Sequence, residues 1–258
     1  MVGTGAARRT SLAALQRVVV KVSYEKIGKL KERLDYIRQE EKAQAQEVAR
    51  VFDAKRNEID AEAVIERWQS AGDDIFFKIP ISPEKSAELV QAVMKETGLP
   101  EREAREEMLR QLARATMEAA EKDWGTKVQW LAASHFDTKQ LHAHVFLRAV
   151  TEDGNPMRID RDYIREGFRT RAAQWATRKL GQFRTEQEIR QGIEKSQSIR
   201  QEILSGKLRI EAAERAGRLT KDEAFKLRRG LGRGDVERTE SLRRIQAIEQ
   251  SRGPTQEI

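Results

Sequence analysis

The chain has 258 residues, enough for one substantial domain and an appendage, and carries 49 Lys and Arg against 42 Asp and Glu, a net charge of +7 and a sequence pI near 9.6. Cysteine is absent, which excludes disulfides, thiolate zinc ribbons and a cysteine nucleophile and fits a reducing cytoplasm. No apolar run approaches membrane-spanning length and the N-terminus lacks a secretory core, so a soluble cytoplasmic protein with a polyanionic partner and no membrane insertion is expected.

Residues 1–16 open with the small, polar and basic run MVGTGAARRTSL and are expected to be flexible. The valine-rich stretch 18–22 reads as a strand able to sit inside a sheet. From 26 to 52 the spacing of Ile27, Leu30, Leu34 and Ile37 marks one face of a long helix. At about 100° per residue, Tyr36 falls on the far side of that wheel, among Lys29, Arg33 and Glu40, where it is a poor core residue. A tyrosine so placed can face a ligand, although exposed tyrosines without function are common. Residues 74–81 form a strand stopped by Pro80 and Pro83. Ser82 and Pro83 then supply an N-cap and a first helical residue for a helix over 84–97, with Leu89, Val90 and Val93 apolar. A second helix fills 101–123 between Pro100 and Gly125, and its charged portion 101–114 reads as solvated surface.

Residues 127–150 hold every histidine of the chain: His135, His142 and His144. Val128, Trp130, Val145 and Phe146 flank the turn-prone Asp137-Thr138-Lys139-Gln140, a β-hairpin pattern. Strand alternation puts His142 and His144 on one face, and His135, closing the preceding strand, can approach them across the hairpin. Three neutral imidazoles point to a metal site with open coordination positions, the catalytic kind. A lone strand histidine is usually a partly buried side chain satisfying a hydrogen bond, and an H-x-H pair alone is weak. The metal is favoured because the whole histidine complement falls in one H-x-D-x4-H-x-H spacing. Asp137 in that spacing either caps the turn or orients a ligand histidine or takes a proton.

Residues 153–156 are a strong turn, 157–159 a short returning strand, and Asp160 or Asp162 caps a helix that ends at Gly181. Arg161, Arg165 and Arg169 recur every fourth residue as one guanidinium stripe, either a wet face or a phosphate contact, while Ile164, Phe168, Ala172 and Trp175 supply the packing side. Residues 183–258 read as helices broken at Gly192, Gly206, Gly217, Gly230, Gly232, Gly234 and Gly253 and too poor in aromatics for a core of their own. A DNA-grasping arm, a partner-binding arm and the start of a longer region all remain open for them.

Residues 135–145, HFDTKQLHAHV, closely resemble the third motif of the relaxases, the mobilisation nucleases of the HUH endonuclease superfamily, with Leu141 where many members have proline. RLDYIR at 33–38 resembles their first motif, and the strand at 74–81 is similar in placement to the second. Residues 159–173, IDRDYIREGFRTRAA, are similar to the segment that follows in relaxases that nick transfer origins and T-DNA borders. The resemblance runs from about 17 to 185 and divides the chain into a flexible 1–16, a nuclease domain at 17–182 and a helical extension at 183–258. It implies an α+β fold, with a central antiparallel sheet that carries the histidine hairpin and is flanked by helices. It implies Tyr36 as nucleophile and His135, His142 and His144 as ligands of a divalent ion, Mg or Mn. Asp137 then orients a ligand or takes a proton, and Arg33 and Arg38 join the downstream arginines as DNA contacts. The implied reaction nicks one strand of a transfer origin by transesterification, leaving a 5′-phosphotyrosine link that can be reversed. Single-stranded origin DNA, relaxosome accessory proteins and a coupling protein are the implied partners, with Trp124, Trp130 and Trp175 either stacking on bases or packing the core. The rivals are a rolling-circle initiator or transposase of the HUH type, whose tyrosine helix usually follows the hairpin and would have to use Tyr163, and a non-cleaving mobilisation accessory protein.

Overall fold

The computed structural model describes residues 12–45, 50–72, 74–135 and 141–250, in two compact units, Met1–Arg184 and Thr185–Ile258. The first unit is α+β and is built on a six-stranded antiparallel sheet. Along one edge, β1 (Val18–Val20) and β2 (Ser23–Lys26) pair in succession with β4 (Ile75–Pro83). Next come β6 (His142–Thr151), β5 (Val128–His135) and the short edge strand β3 (Val51–Phe52).

Pro80 does not stop its strand but lies within it. The N–H and C=O of a residue in an antiparallel strand point the same way, and the Pro80 carbonyl accepts from Lys21 N (3.4 Å). Its missing N–H therefore faces the gap where β1 gives way to β2, and costs the sheet no ladder bond. Ser82 and Pro83 also belong to β4 rather than to a helix cap. The helix α3 (Ser86–Thr97) starts after Lys85, with Ser86 Oγ donating to the Pro83 carbonyl (2.7 Å).

Alternation sorts the strand side chains onto two faces. Phe52, Phe77, Ile79, Ala132, Val145 and Leu147 lie on one, under α3, α4 (Glu101–Trp124) and α5 (Phe168–Leu180). Residues 101–114 are not a solvated surface, because Ala104, Met108, Leu109 and Leu112 recur on one side of α4 and are fully buried there. The charges occupy the remaining arc, and even Arg110 folds back onto Glu106 and Glu107 (2.8 and 3.0 Å).

The opposite face presents Val51, Phe76, Leu131, Ala133 and Phe146 to Leu30, Leu34 and Ile37 of α1 (Leu30–Ala45) and to Ile65 and Trp68 of α2 (Ala61–Ser70). Full burial contributes on the order of 1.5–3 kcal/mol for each large side chain, so this seam is what holds α1 on the sheet. The expected helix does not reach 52. Val51 and Phe52 pair with Ala133 and Ala132, and Asp53 ends the strand by accepting from Lys55 N and Arg56 N (2.8 and 2.7 Å). α2 is missing from the sequence-based expectation, although Asp60 caps it by accepting from Ala63 N (3.1 Å) and Val64, Ile65 and Trp68 have helical spacing.

Beyond β6, Val150 bridges to Pro156, but residues 157–159 form no strand. Asp160 accepts from Asp162 N (2.7 Å), and a π-helical turn, Tyr163–Gly167, leads into α5, which closes at Gly181 with φ 68°. The Tyr163 ring lies on Gly167, where a Cβ would stand 2.5 Å from its Cγ, and is wedged between Trp124 and Phe168 at centroid distances of 5.0 and 5.2 Å. Gly167→Ala is accordingly expected to lower stability by roughly 1–3 kcal/mol in urea unfolding, and an unchanged midpoint would refute this packing.

The second unit comprises α6 (Glu186–Arg215), α7 (Lys221–Leu231) and α8 (Asp235–Gln250). Thr185 with Glu188 and Thr220 with Glu223 form capping boxes that start α6 and α7. Contrary to expectation, this unit has its own core, made without aromatics from Ile210, Ala213, Leu219, Leu227, Leu231 and Ile245. Gly192, Gly206 and Gly230 lie inside helices rather than at breaks. At Gly206 a Cβ would stand 2.9 Å from Leu231 Cδ1, so hydrogen there lets the helices close. Among the described residues no helix is long and apolar enough to cross a membrane.

Candidate functional site

The hairpin register places His135 directly opposite His142, and Ala133 opposite His144. All three histidines consequently project from the sheet face that α1 and α2 cover, next to Ala133 and Phe146. His135 Nδ1 lies 2.9 Å from His142 Nε2, which lies 3.0 Å from His144 Nε2, and one ligand atom from each ring falls within 4.8 Å of the others. Phe146 stacks on His144 (6.4 Å, 24° between planes), and Ser82 Oγ donates to the Leu141 carbonyl (3.0 Å), fixing the chain as it enters β6.

Hydrogen bonding alone accounts poorly for this arrangement. A neutral imidazole has one N–H and one in-plane lone pair, so His142 Nε2 can make at most one good bond of its two close contacts. A shared cation would use every lone pair, and ligands at right angles on ~2.1 Å bonds are separated by about 3 Å, as the His135–His142 and His142–His144 pairs are. Burial pushes the His144 imidazole down to about 2, helped by the neighbouring His142, by Lys78 and by His135, so the ring keeps its lone pair throughout the neutral range. Its Nδ1 is buried with no hydrogen-bond partner among the described residues, which leaves Nε2 as the atom turned on the cluster. The three rings can hold a metal ion.

The depressed His144 value carries a consequence for stability. The unfolded chain protonates this imidazole below about 6.5 while the folded chain does not, so the unfolded state binds more protons. Stability is therefore fully present above pH 6.5 and is lost progressively as pH falls towards 2, at up to about 1.4 kcal/mol per pH unit from this group. Urea unfolding in EDTA at pH 7 and 5 checks this. His144→Asn should flatten the difference, and an equally steep loss in the variant would refute it.

Tyr36 is 54% exposed on α1, between the buried Leu34 and Ile37, in the layer that covers the histidine face. The other two tyrosines are elsewhere. Tyr24 of β2 pairs opposite Phe77 and so points to the other face of the sheet. Tyr163 donates to Asp123 (2.8 Å), and burial together with that carboxylate raises its phenol well above the usual range.

The predicted basic contacts are distributed unevenly. Arg33 is clamped by Glu25, with its Nε 3.0 Å from both carboxylate oxygens. The side chain of Arg38, and Asp137 altogether, lie outside the described residues. Arg161 and Arg165 are exposed and Arg169 is half-buried against Glu166, but their helix runs on into α5, across the sheet from the histidines. Trp130 and Trp175 are buried in that opposite layer, and Trp124 packs on Tyr163 and Phe168.

Sequence reasoning missed Lys78. In β4 it pairs opposite Phe146, hence on the histidine face and diagonal to His144. The alternation of Phe76, Lys78 and Pro80 in the sequence was the available signal.

The chain matches the family model described as Relaxase: MobA/VirD2-like, nuclease domain, over residues 36–174, more than half of its length. The chain belongs to the relaxase family. No curated protein and no solved structure matches it. The relaxase match starts on Tyr36, takes in the whole histidine hairpin and ends inside α5, which puts the imidazole cluster inside a nuclease domain of DNA-nicking type. Among the described residues of this domain, His135, His142 and His144 are the group that could hold a divalent metal ion.

Proposed function

We propose that the chain is a conjugative relaxase that nicks one strand of a transfer origin and stays joined to it through Tyr36. The observation that carries this reading is that the helix bearing the exposed Tyr36 covers the sheet face from which His135, His142 and His144 converge. Residues 17–182 form the nuclease domain in this reading and residues 183–258 an extension.

A divalent ion held by the three imidazoles, Mg or Mn in use, would supply Lewis-acid polarisation of the scissile phosphate and offset its charge. The phenol oxygen of Tyr36 forms a bond to phosphorus as the bond from phosphorus to the 3′-oxygen breaks. The phenol proton passes to Asp137, and the departing 3′-oxygen takes a proton from solvent to leave as a hydroxyl. Lys78, beside His144, adds a fixed positive charge where the attacked phosphate gains negative charge. The phosphotyrosine link conserves the energy of the phosphodiester, so rejoining is the same step reversed. Arg161, Arg165 and Arg169, on the far face, serve DNA beyond the nick. Accessory proteins of the relaxosome and a coupling protein complete the set of partners.

The test is to incubate the full chain with labelled single-stranded origin DNA and Mn and to resolve the products under denaturing conditions. A label that co-migrates with the protein and maps to Tyr36 is expected. Free 5′-phosphate without an adduct would replace this reading with hydrolysis by water, and binding without cleavage would replace it with an accessory role.

A further inference from the structure

We propose that the solvent side of α7 is a second nucleic-acid surface, one that takes single-stranded DNA by clasping its phosphates at Lys221 and Arg229 and stacking a base on Phe225. These three residues recur every fourth position, all are exposed, and they turn away from Ala224, Leu227 and Leu231, which pack the core of the second unit. Phe225 is 61% exposed, in a unit that has no other aromatic among its described residues.

The neighbouring cations are already engaged: Lys226 with Asp222 (2.6 Å), Arg228 with Glu214 (2.5 Å) and Arg233 with Glu237 (3.6 Å). No carboxylate among the described residues lies within ion-pair distance of Lys221 or Arg229. None of this serves the fold. A lysine in the first turn of a helix opposes the helix dipole, and a phenyl ring in water forfeits its burial. The two cations stand about 12 Å apart along the axis with the ring midway, the pattern of an electrostatic track with a stacking platform. Two unbalanced positive charges call for an anionic partner, and the planar ring between them suits a nucleobase better than an acidic side chain.

The choice of DNA as that polyanion rests on the nicking activity proposed above. Fluorescence anisotropy of the full chain on a labelled oligothymidine of about 30 nucleotides tests the surface. Lys221→Gln with Arg229→Gln is expected to weaken binding about tenfold and to reduce the slope of log K against log salt by about 1.4, about 0.7 for each cation lost. Phe225→Ala is expected to weaken binding about tenfold with the slope unchanged. Both variants change only exposed side chains, and both should nick a short oligonucleotide spanning just the cleavage site as the unmodified chain does. Affinity and slope unchanged in both variants would overturn the proposal and leave the face to a protein partner. Weakened binding in a chain that forms no tyrosine adduct would uphold the surface while overturning the nicking activity, so the two failures are distinguishable.

Discussion

Tyr36→Phe is expected to abolish the covalent protein–DNA adduct, a loss of at least about a thousandfold in nicking, with binding of the same oligonucleotide retained. The substitution deletes the one atom that would attack phosphorus and leaves the ring on α1. The side chain is 54% exposed, so the fold should change by no more than about 0.5 kcal/mol. Two companion variants make the result specific. Tyr24→Phe alters a ring on the other face of the sheet and should nick normally. Tyr163→Phe removes the bond to Asp123 and should cost about 1 kcal/mol of stability without touching the adduct. An adduct at the unmodified rate from Tyr36→Phe, or its disappearance in Tyr163→Phe, would move the chemistry to a different tyrosine.

Ligand removal should have the second largest effect. His142→Ala and His144→Ala are each expected to weaken Mn binding at least about a hundredfold, read by titration calorimetry without any DNA present. Because only the folded chain assembles the three nitrogens, Mn at a hundred times its dissociation constant should stabilise the unmodified chain by about 2.7 kcal/mol and either variant far less. Equal affinity in all three chains would mean that the ion sits elsewhere.

The histidine hairpin was legible because every term of the inference was local. Strand alternation and a short turn fix which faces His135, His142 and His144 occupy, and nothing distant can alter that parity. The exposure of Tyr36 was legible for the same reason, from the spacing of Leu30, Leu34 and Ile37. What escaped depended on partners far along the chain. Val51 and Phe52 continue a helical pattern when read alone and become a strand only because β5 offers a free edge. Pro80 looked like a terminator until the gap between β1 and β2 removed the need for its donor. Arginines at 161, 165 and 169 could be grouped from sequence, but only the packing of Phe168 and Ala172 assigns their helix to the far layer. The aliphatic core of the second unit was hidden because Gly206 and Gly230 mark close helix contact there, which in a bare sequence looks the same as a break.

The alignment of His135 with His142 has a consequence for quality control during folding. A slip of one residue between the two hairpin strands would put His135 on the opposite face of the sheet from His142 and His144. Such a misaligned molecule would keep only the two imidazoles of β6 together, so faulty pairing dissolves the three-nitrogen cluster along with the packing around it.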